Sequence, residues 1–343
     1  MKALVLNGYN KFNFEEVPMP KYGVNDVLVK VKACAICGSD VHGMDGSTGR
    51  RIPPIIMGHE ASGIIEKVGD NVKDYKLGDR VTFDSTVYCG ECYYCRRGEI
   101  NLCNNRKVMG VSCGDYRLHG AFAEYVSVPQ HILYLLPDEV SFERAAMVEP
   151  LSVAFHAVKR SLVSLNHTAV VVGAGMIGLL VIQLLKIAGC GRIIAVDMVQ
   201  QKLDMALKFG ADVGLKADTV DVAAEVYRLT GNRGADIAFE VVGITSTVQS
   251  AIASLRKGGS LTLVGNLNPM VEFPLQSVVT RQISLSGSCA SCGEYPDCLD
   301  LIASGKVDVD SFISTIAPLS EGGTWFKRLH DGEPGLMKVI LVP

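Results

Sequence analysis

Val170-Val171-Val172-Gly173-Ala174-Gly175-Met176-Ile177-Gly178 reads as a buried strand that breaks on glycine and re-forms as a helix running from Met176 to Ala188. Each glycine of the G-x-G-x-x-G has its own task. Gly173 permits the tight turn, Gly175 lets the backbone approach a pyrophosphate, and Gly178 lets the helix pack on the strand. The helix N-terminus, with Met176 and Ile177 in its first turn, offers free N–H groups and a positive dipole end to phosphates. The glycine pattern alone is weak; strand before and helix after make it a dinucleotide fingerprint.

Reading outward, Arg192–Val196, Asp236–Val241 and Ser260–Val264 have strand character. Gln200–Phe209 and Ser246–Leu255 have helix character. Such alternation predicts a parallel, doubly wound sheet. Asp197 closes the strand after the fingerprint, 19 residues past Gly178. A carboxylate there accepts hydrogen bonds from the adenosine ribose and repels a 2′-phosphate. Met198 rather than Arg follows it, which favours NAD, although Lys202 tempers that preference. The competing reading is a solvated Asp at a strand end.

The first 130 residues differ. Short β-like runs (Lys2–Leu6, Val27–Ala33, Ala61–Val68, Arg80–Phe83) alternate with Gly and Pro, predicting a β-rich, barrel-like body with long loops. A helix is expected from Ser141 to Ala146 and beyond. The strand–helix alternation ends after about residue 286. No fixed-period repeat or low-complexity tract is present.

A chain of 343 residues predicts about two domains. With 48% hydrophobic and 20% charged residues it reads as soluble and globular. A net charge of -3 and no basic run argue against nucleic acid. The N-terminus lacks a signal-peptide core. The most apolar stretch, Val170 to Ala188, is too interrupted by Gly, Gln and Lys to span a membrane. Eleven cysteines, an odd number, favour thiolate–metal chemistry in a cytoplasmic protein over a disulfide framework.

Cys89, Cys92, Cys95 and Cys103 follow C-x2-C-x2-C-x7-C. Four thiolates in one loop suit a closed, structural tetrahedral zinc, in a lobe of about residues 86–110. An iron–sulfur cluster is the chemical competitor, but the C-x3-C-P ending of bacterial ferredoxins is missing. Separately, Cys37-Gly38-Ser39-Asp40-Val41-His42, His59-Glu60 and Glu149-Pro150 carry thiol, hydroxyl, imidazole and carboxylate groups. None means much alone. Residue 63 is Gly, so His59-Glu60 does not begin H-E-x-x-H and a metalloprotease is not supported.

Together these segments resemble the zinc-containing medium-chain dehydrogenase/reductase family, and within it the sorbitol (L-iditol 2-) dehydrogenase branch. The resemblance rests on CGSDVH at 37–42, GHEASG at 58–63, GDRV at 78–81, the four-cysteine lobe, VEPLSV at 148–153, GAGMIG at 173–178 and YPDCLDLIASGKVDV at 295–309. It implies a GroES-like catalytic domain from residues 1–150 and 287–343, and a Rossmann NAD-binding domain from 151–286, with the active site in the cleft. It implies that Cys37, His59 and Glu60 bind a catalytic zinc, with Glu149 holding it directly or through water. Glu149 stands where the alcohol dehydrogenases proper carry cysteine, and a harder, hydrated site suits hydroxyl-rich substrates. Ser39 would bond the reacting hydroxyl, and His42 would pass its proton onward. The implied reaction is oxidation of a secondary alcohol, a polyol or sugar-derived alcohol, to a ketone with Zn²⁺ and NAD, by a homotetramer or dimer.

The loop GMDGSTGRRIPPIIM at 43–57 is shorter than in animal sorbitol dehydrogenases, and no aromatic follows His42. It is expected to line the substrate pocket, so which polyol is used stays open. Arg50 and Arg51 in that loop read as an exposed pair, with an acidic or phosphorylated sugar alcohol as the alternative. A threonine-type dehydrogenase and a sugar-acid or sugar-phosphate dehydrogenase are the enzyme alternatives; an NAD-binding zinc-ribbon protein is the non-enzyme one. Cys289 and Cys292 lack a second half and read as no metal site. Cys34, Cys113, Cys190 and Cys298 read as small apolar residues.

Overall fold

The valine run of the fingerprint lies in the strand Thr168–Val172, every residue of it buried. It pairs in parallel with Arg192–Asp197 on one side and Ala235–Glu240 on the other. The six-stranded sheet runs Val213–Lys216, Arg192–Asp197, Thr168–Val172, Ala235–Glu240, Leu255–Leu263, Ser284–Gly287, all parallel. Strand order therefore reverses between Thr168–Val172 and Ala235–Glu240, the place where doubly wound sheets take ligands. Val170, Ile194, Ala238, Ile252 and Leu261 share its core.

Two glycines explain the turn. Gly173 has φ +102, and a Cβ there would meet Val242 Cγ2 at 2.6 Å. A Cβ on Gly178 would meet the Gly173 carbonyl oxygen at 1.9 Å, so only glycine lets the Met176–Ile187 helix start this close to the strand.

The computed structural model describes residues 1–343 and forms two units, Met1–Glu149 with Cys292–Pro343, and Pro150–Ser291. The first holds a seven-stranded sheet: Leu133–Leu135, Arg80–Phe83, Glu60–Val68, Asp26–Ala35, Lys338–Val342, Ile313–Pro318, with Tyr125–Pro129 also on Asp26–Ala35. A smaller sheet joins Lys11–Glu16, Lys2–Gly8 and Ile55–Ile56. Val29, Ile65, Phe83, Phe122 and Phe326 fill the core. The C-terminal strand inserts beside Asp26–Ala35, pairing Leu341 with Cys34 and Ile340 with Ala35.

Some elements escape sequence reading. Val213–Lys216 is only four residues long. The helix Val222–Leu229 starts on Asp221, whose side chain accepts from the Ala224 N–H. The helix expected from Ser141 is two, Phe142–Ala146 and Val148–Arg160. No helix is long and apolar enough to cross a membrane.

Asp236 pins the parallel sheet. It accepts from the Thr168 N–H at 2.9 Å, from Arg233 at 2.8 and 2.9 Å, and from Arg256 at 2.7 Å. Burial alone would raise its carboxyl; Arg233, the Thr168 N–H and Arg256 outweigh it and hold it down at about 2. A depressed folded value means stability that is present above the unfolded pKa, about 3.9, and lost as pH falls towards the folded one. Asp236→Asn is expected to lower stability by about 1 kcal/mol near neutrality, discounted because Arg233 is half exposed. In urea melts the difference from the parent should fade between about pH 4 and pH 2; a pH-independent difference would refute the ion-pair account.

Candidate active site and metal centres

Three strand ends meet at the first centre. Cys37 is the N-cap of the helix Gly38–Gly43, directly after the strand Asp26–Ala35. Ile36 N–H donates to the Val339 carbonyl at 2.9 Å, so the last strand fixes the residue before the thiol. Glu60 pairs with Ala35 in register, which carries His59 and Glu60 alongside. The ligand atoms of Cys37, His59 and Glu60 lie within 4.8 Å of one another. Lys338, at the start of the last strand, donates to Glu60 Oε2 at 2.6 Å and to the Ile36 carbonyl at 3.1 Å.

The other Glu60 oxygen and His59 Nδ1 are buried without a hydrogen-bond partner. Burial, and then the Glu60 carboxylate, push the Cys37 thiol up to about 12. Burial pushes Glu149 up to about 8; His59 opposes this, while Glu60, Cys37 and Asp84 add to it. A cluster of S, N and O donors, the imidazole and carboxylate buried and the thiol half-buried, with one bare carboxylate oxygen, fits a divalent cation of zinc's preferences.

Ser39 Oγ donates to Cys37 Sγ at 3.3 Å, so the hydroxyl lies beside the thiol. His42, on the same short helix, is exposed. Arg51 corrects the expectation of an exposed pair. Arg50 is exposed, but Arg51 is 4% exposed and bonded to Asp40, which is 0% exposed. A guanidinium goes inside when a carboxylate waits for it, and no sequence window displays that pairing.

The second centre is the cysteine lobe. The sulfurs of Cys89, Cys92, Cys95 and Cys103 lie within 4.8 Å of one another, and none is in a disulfide. Cys103 Sγ accepts from the N–H groups of Cys89 and Asn105, both at 3.3 Å. The N–H groups of Cys95 and Asn104 bring Cys92 down to about 6, while loss of water and then the Cys92 sulfur push Cys95 up to about 12. Backbone donors thus favour thiolates whose crowding forbids four charges at once, as a closed tetrahedral zinc would resolve. Cys292 is no ligand here: its thiol donates to the Gly98 carbonyl at 3.0 Å.

In the second unit, Asp197 ties the glycine turn to its strand. One carboxylate oxygen accepts from the Ala174 N–H at 2.8 Å, the other from the Val199 N–H at 2.9 Å. A Cβ on Gly175 would meet no protein atom within 4 Å, so that space is open to a pyrophosphate. Sequence reading missed Asp40 and Lys338. The signal for Lys338 was a cation opening an otherwise apolar strand, KVILV, which demands a buried partner.

Residues 23–138 match the family described as alcohol dehydrogenase GroES-like domain, and residues 177–304 the family described as zinc-binding dehydrogenase. Sorbitol dehydrogenase of Bacillus subtilis is 34% identical, over 100% of this chain and 97% of its own. The chain belongs to the zinc-containing medium-chain dehydrogenase/reductase family, in its sorbitol dehydrogenase-like branch. A probable D-xylulose reductase A of Emericella nidulans is 34% identical over 99% of this chain and 96% of its own. The solved alcohol dehydrogenase TADH from Thermus sp. ATN1 superposes with TM-score 0.93 at 31% identity, covering 100% and 99%. This dehydrogenase is thus an oxidoreductase with a GroES-like β-rich part and a Rossmann sheet.

Within it, the Lys338–Glu60 pair is buried, at 1% and 0% side-chain exposure. Lys338→Met strands a carboxylate and is expected to cost about 3 kcal/mol in urea unfolding. A loss below about 1 kcal/mol would mean that Glu60 does not depend on this partner.

Proposed function

We propose that this dehydrogenase oxidises a secondary hydroxyl of a polyol or sugar-derived alcohol to a ketone, with NAD as acceptor. The observation that carries the reading is the meeting of Cys37 with the buried His59 and Glu60, with one Glu60 oxygen bare and Glu149 within electrostatic reach. In this reading those three residues hold the catalytic zinc and Glu149 holds it directly or through water. Cys89, Cys92, Cys95 and Cys103 hold the structural one. When bound, zinc supplies a Lewis acid that acidifies a hydroxyl, and the nicotinamide supplies the hydride acceptor.

The chain's own residues do the rest. Ser39 orients the reacting hydroxyl by accepting a hydrogen bond from it; as that proton passes to Ser39 Oγ, the serine's own hydroxyl proton is released towards His42. His42, exposed to solvent, carries that proton outward. Gly173, Gly175, Met176, Ile177 and Gly178 cradle the pyrophosphate, and Asp197 receives the ribose hydroxyls and disfavours a 2′-phosphate. In these terms the zinc-bearing catalytic domain is residues 1–150 and 287–343, and the cofactor domain 151–286. All eleven cysteines are free, which supports a reducing, cytoplasmic setting.

The test is a screen for NADH or NADPH formation on purified protein of known zinc content. Its panel holds polyols, sugar acids, sugar-alcohol phosphates, threonine and simple alcohols. About two zinc per chain and turnover of a polyol with NAD are expected. Cys37→Ser should lose about one zinc and the turnover, keeping the lobe's metal. Activity on threonine alone would move the enzyme to the threonine-type reading. Zinc confined to the lobe with no activity would leave a nucleotide-binding protein.

A homo-oligomer, dimer or tetramer, is part of this reading. Ser284–Gly287 ends the parallel sheet with one edge unpaired. Met270 (87%), Leu275 (63%) and Val279 (68%) are exposed in the preceding segment. Open edges and apolar segments are normally covered. Light scattering should read a mass of at least two chains, reduced by Leu285→Lys; a monomer at micromolar concentration would rule the oligomer out.

A further inference from the structure

Arg51 is a charged side chain at 4% exposure that the reaction scheme above does not use. Its Nε and Nη2 donate to the same Asp40 oxygen, Oδ1, at 2.9 and 2.7 Å. The other Asp40 oxygen, Oδ2, lies 3.4 Å from His59 Nδ1, and both atoms are buried without a hydrogen-bond partner. We propose that Arg51 is a positioning residue for the metal centre: it holds Asp40 so that Oδ2 orients the His59 ring, and it steadies Ser39, thereby tying the loop 43–57 to the site. The inference rests on the reading that Cys37, His59 and Glu60 hold zinc.

Four observations converge. First, a fully buried carboxylate needs a close, well-aligned cation, and the guanidinium directs two donors at one of its oxygens. Second, a proton on His59 Nδ1, facing Oδ2 across 3.4 Å, would fix the tautomer that leaves Nε2 free as a ligand atom. Third, Arg51 Nη2 also lies 3.4 Å from Ser39 Oγ, the hydroxyl that donates to Cys37 Sγ. One guanidinium thus reaches towards the imidazole and the thiol at once. Fourth, the surroundings are shaped for it. A Cβ on Gly43 would meet Arg51 Cγ at 2.8 Å, so the helix carrying Ser39, Asp40 and His42 leaves room for the arginine stem.

The arginine is also anchored from behind. Nη1 donates to the Arg50 carbonyl at 2.9 Å. The flanking backbone is clamped to Ser112, with Ile52 N–H donating to its carbonyl at 3.1 Å and its own N–H donating to Arg50 at 3.2 Å. A lysine keeps the charge but not the fork, and reaches one acceptor at a time.

The test follows zinc release from the purified holoenzyme to a chromogenic chelator, with the cysteine lobe's zinc as internal control. Arg51→Met is expected to speed release from the Cys37 site by roughly ten- to a hundredfold, the usual weight of a residue behind a metal ligand. Release from the lobe should not change. Arg51→Lys should fall between. Asp40→Asn, of the same size, should also speed release and carries the test if Arg51→Met does not fold. In the Asp40→Asn background, Arg51→Met should add no more than about twofold, because the two close bonds to the carboxylate carry the effect on release and the 3.4 Å contact to Ser39 adds little. Parent-like release in Arg51→Met or Asp40→Asn, or effects that multiply in the double variant, would overturn the proposal. If the parent holds one zinc and Cys37→Ser does not lower it, the metal reading fails, and this inference with it; that outcome is distinct from a two-zinc parent whose Arg51 variants release normally.

Discussion

Lys338 and Glu60 are 278 residues apart in sequence and meet at 2.6 Å with almost no exposure. Burying two charges costs several kcal/mol each, and their attraction repays that only with good geometry. The pair is therefore better understood as a register device than as a source of stability. Sliding the last strand by one residue would turn Lys338 to the opposite face and leave Glu60 alone in the core. With the register fixed, Val339 receives the Ile36 N–H, Ile340 lies beside Ala35, and the chain leaves the sheet at Cys37 in one defined place. The lysine occupies one oxygen of Glu60 and leaves the other without a protein partner. The constraint that closes the sheet also shapes the donor set.

The two kinds of site are built in opposite ways. The dinucleotide turn is local: Gly173, Gly175 and Gly178 lie within six residues, and their task follows from backbone sterics. Its supporting carboxylate, Asp197, reaches it from the next strand through the Ala174 N–H. The cysteine lobe is local too, with sulfurs set by spacing and steadied by neighbouring N–H groups. The Cys37 centre is not. It takes its parts from the end of one strand, the start of a second and the start of the last, and exists only once the β-rich sheet has closed.

That difference decides what could be read in the sequence. The parallel sheet, its fingerprint and the four-cysteine lobe were legible because short-range chemistry specifies them. Cys37, His59 and Glu60 stood out through resemblance, since 22 residues separate the thiol from the imidazole and no spacing rule links them. Val213–Lys216 was invisible because four residues with a glycine carry no period. Arg51 was misread and Lys338 unread for one reason. Whether a cation is buried depends on a carboxylate that only the folded chain brings near, and general preference puts Arg and Lys outside.

The placement of Arg51 also bears on the substrate. Of the two arginines in the 43–57 loop, Arg51 is committed to Asp40 by two bonds to a single oxygen and is anchored by a third bond to the Arg50 carbonyl. Withdrawing it to grip a phosphate would strand a fully buried carboxylate, at a cost of several kcal/mol. A phosphorylated sugar alcohol would find only Arg50 free in this loop, and one exposed arginine is weak recognition for a doubly charged group, which bidentate or clustered donors usually bind. The fold thus commits one of the loop's two guanidinium groups to holding the carboxylate beside His59 and leaves the other at the surface.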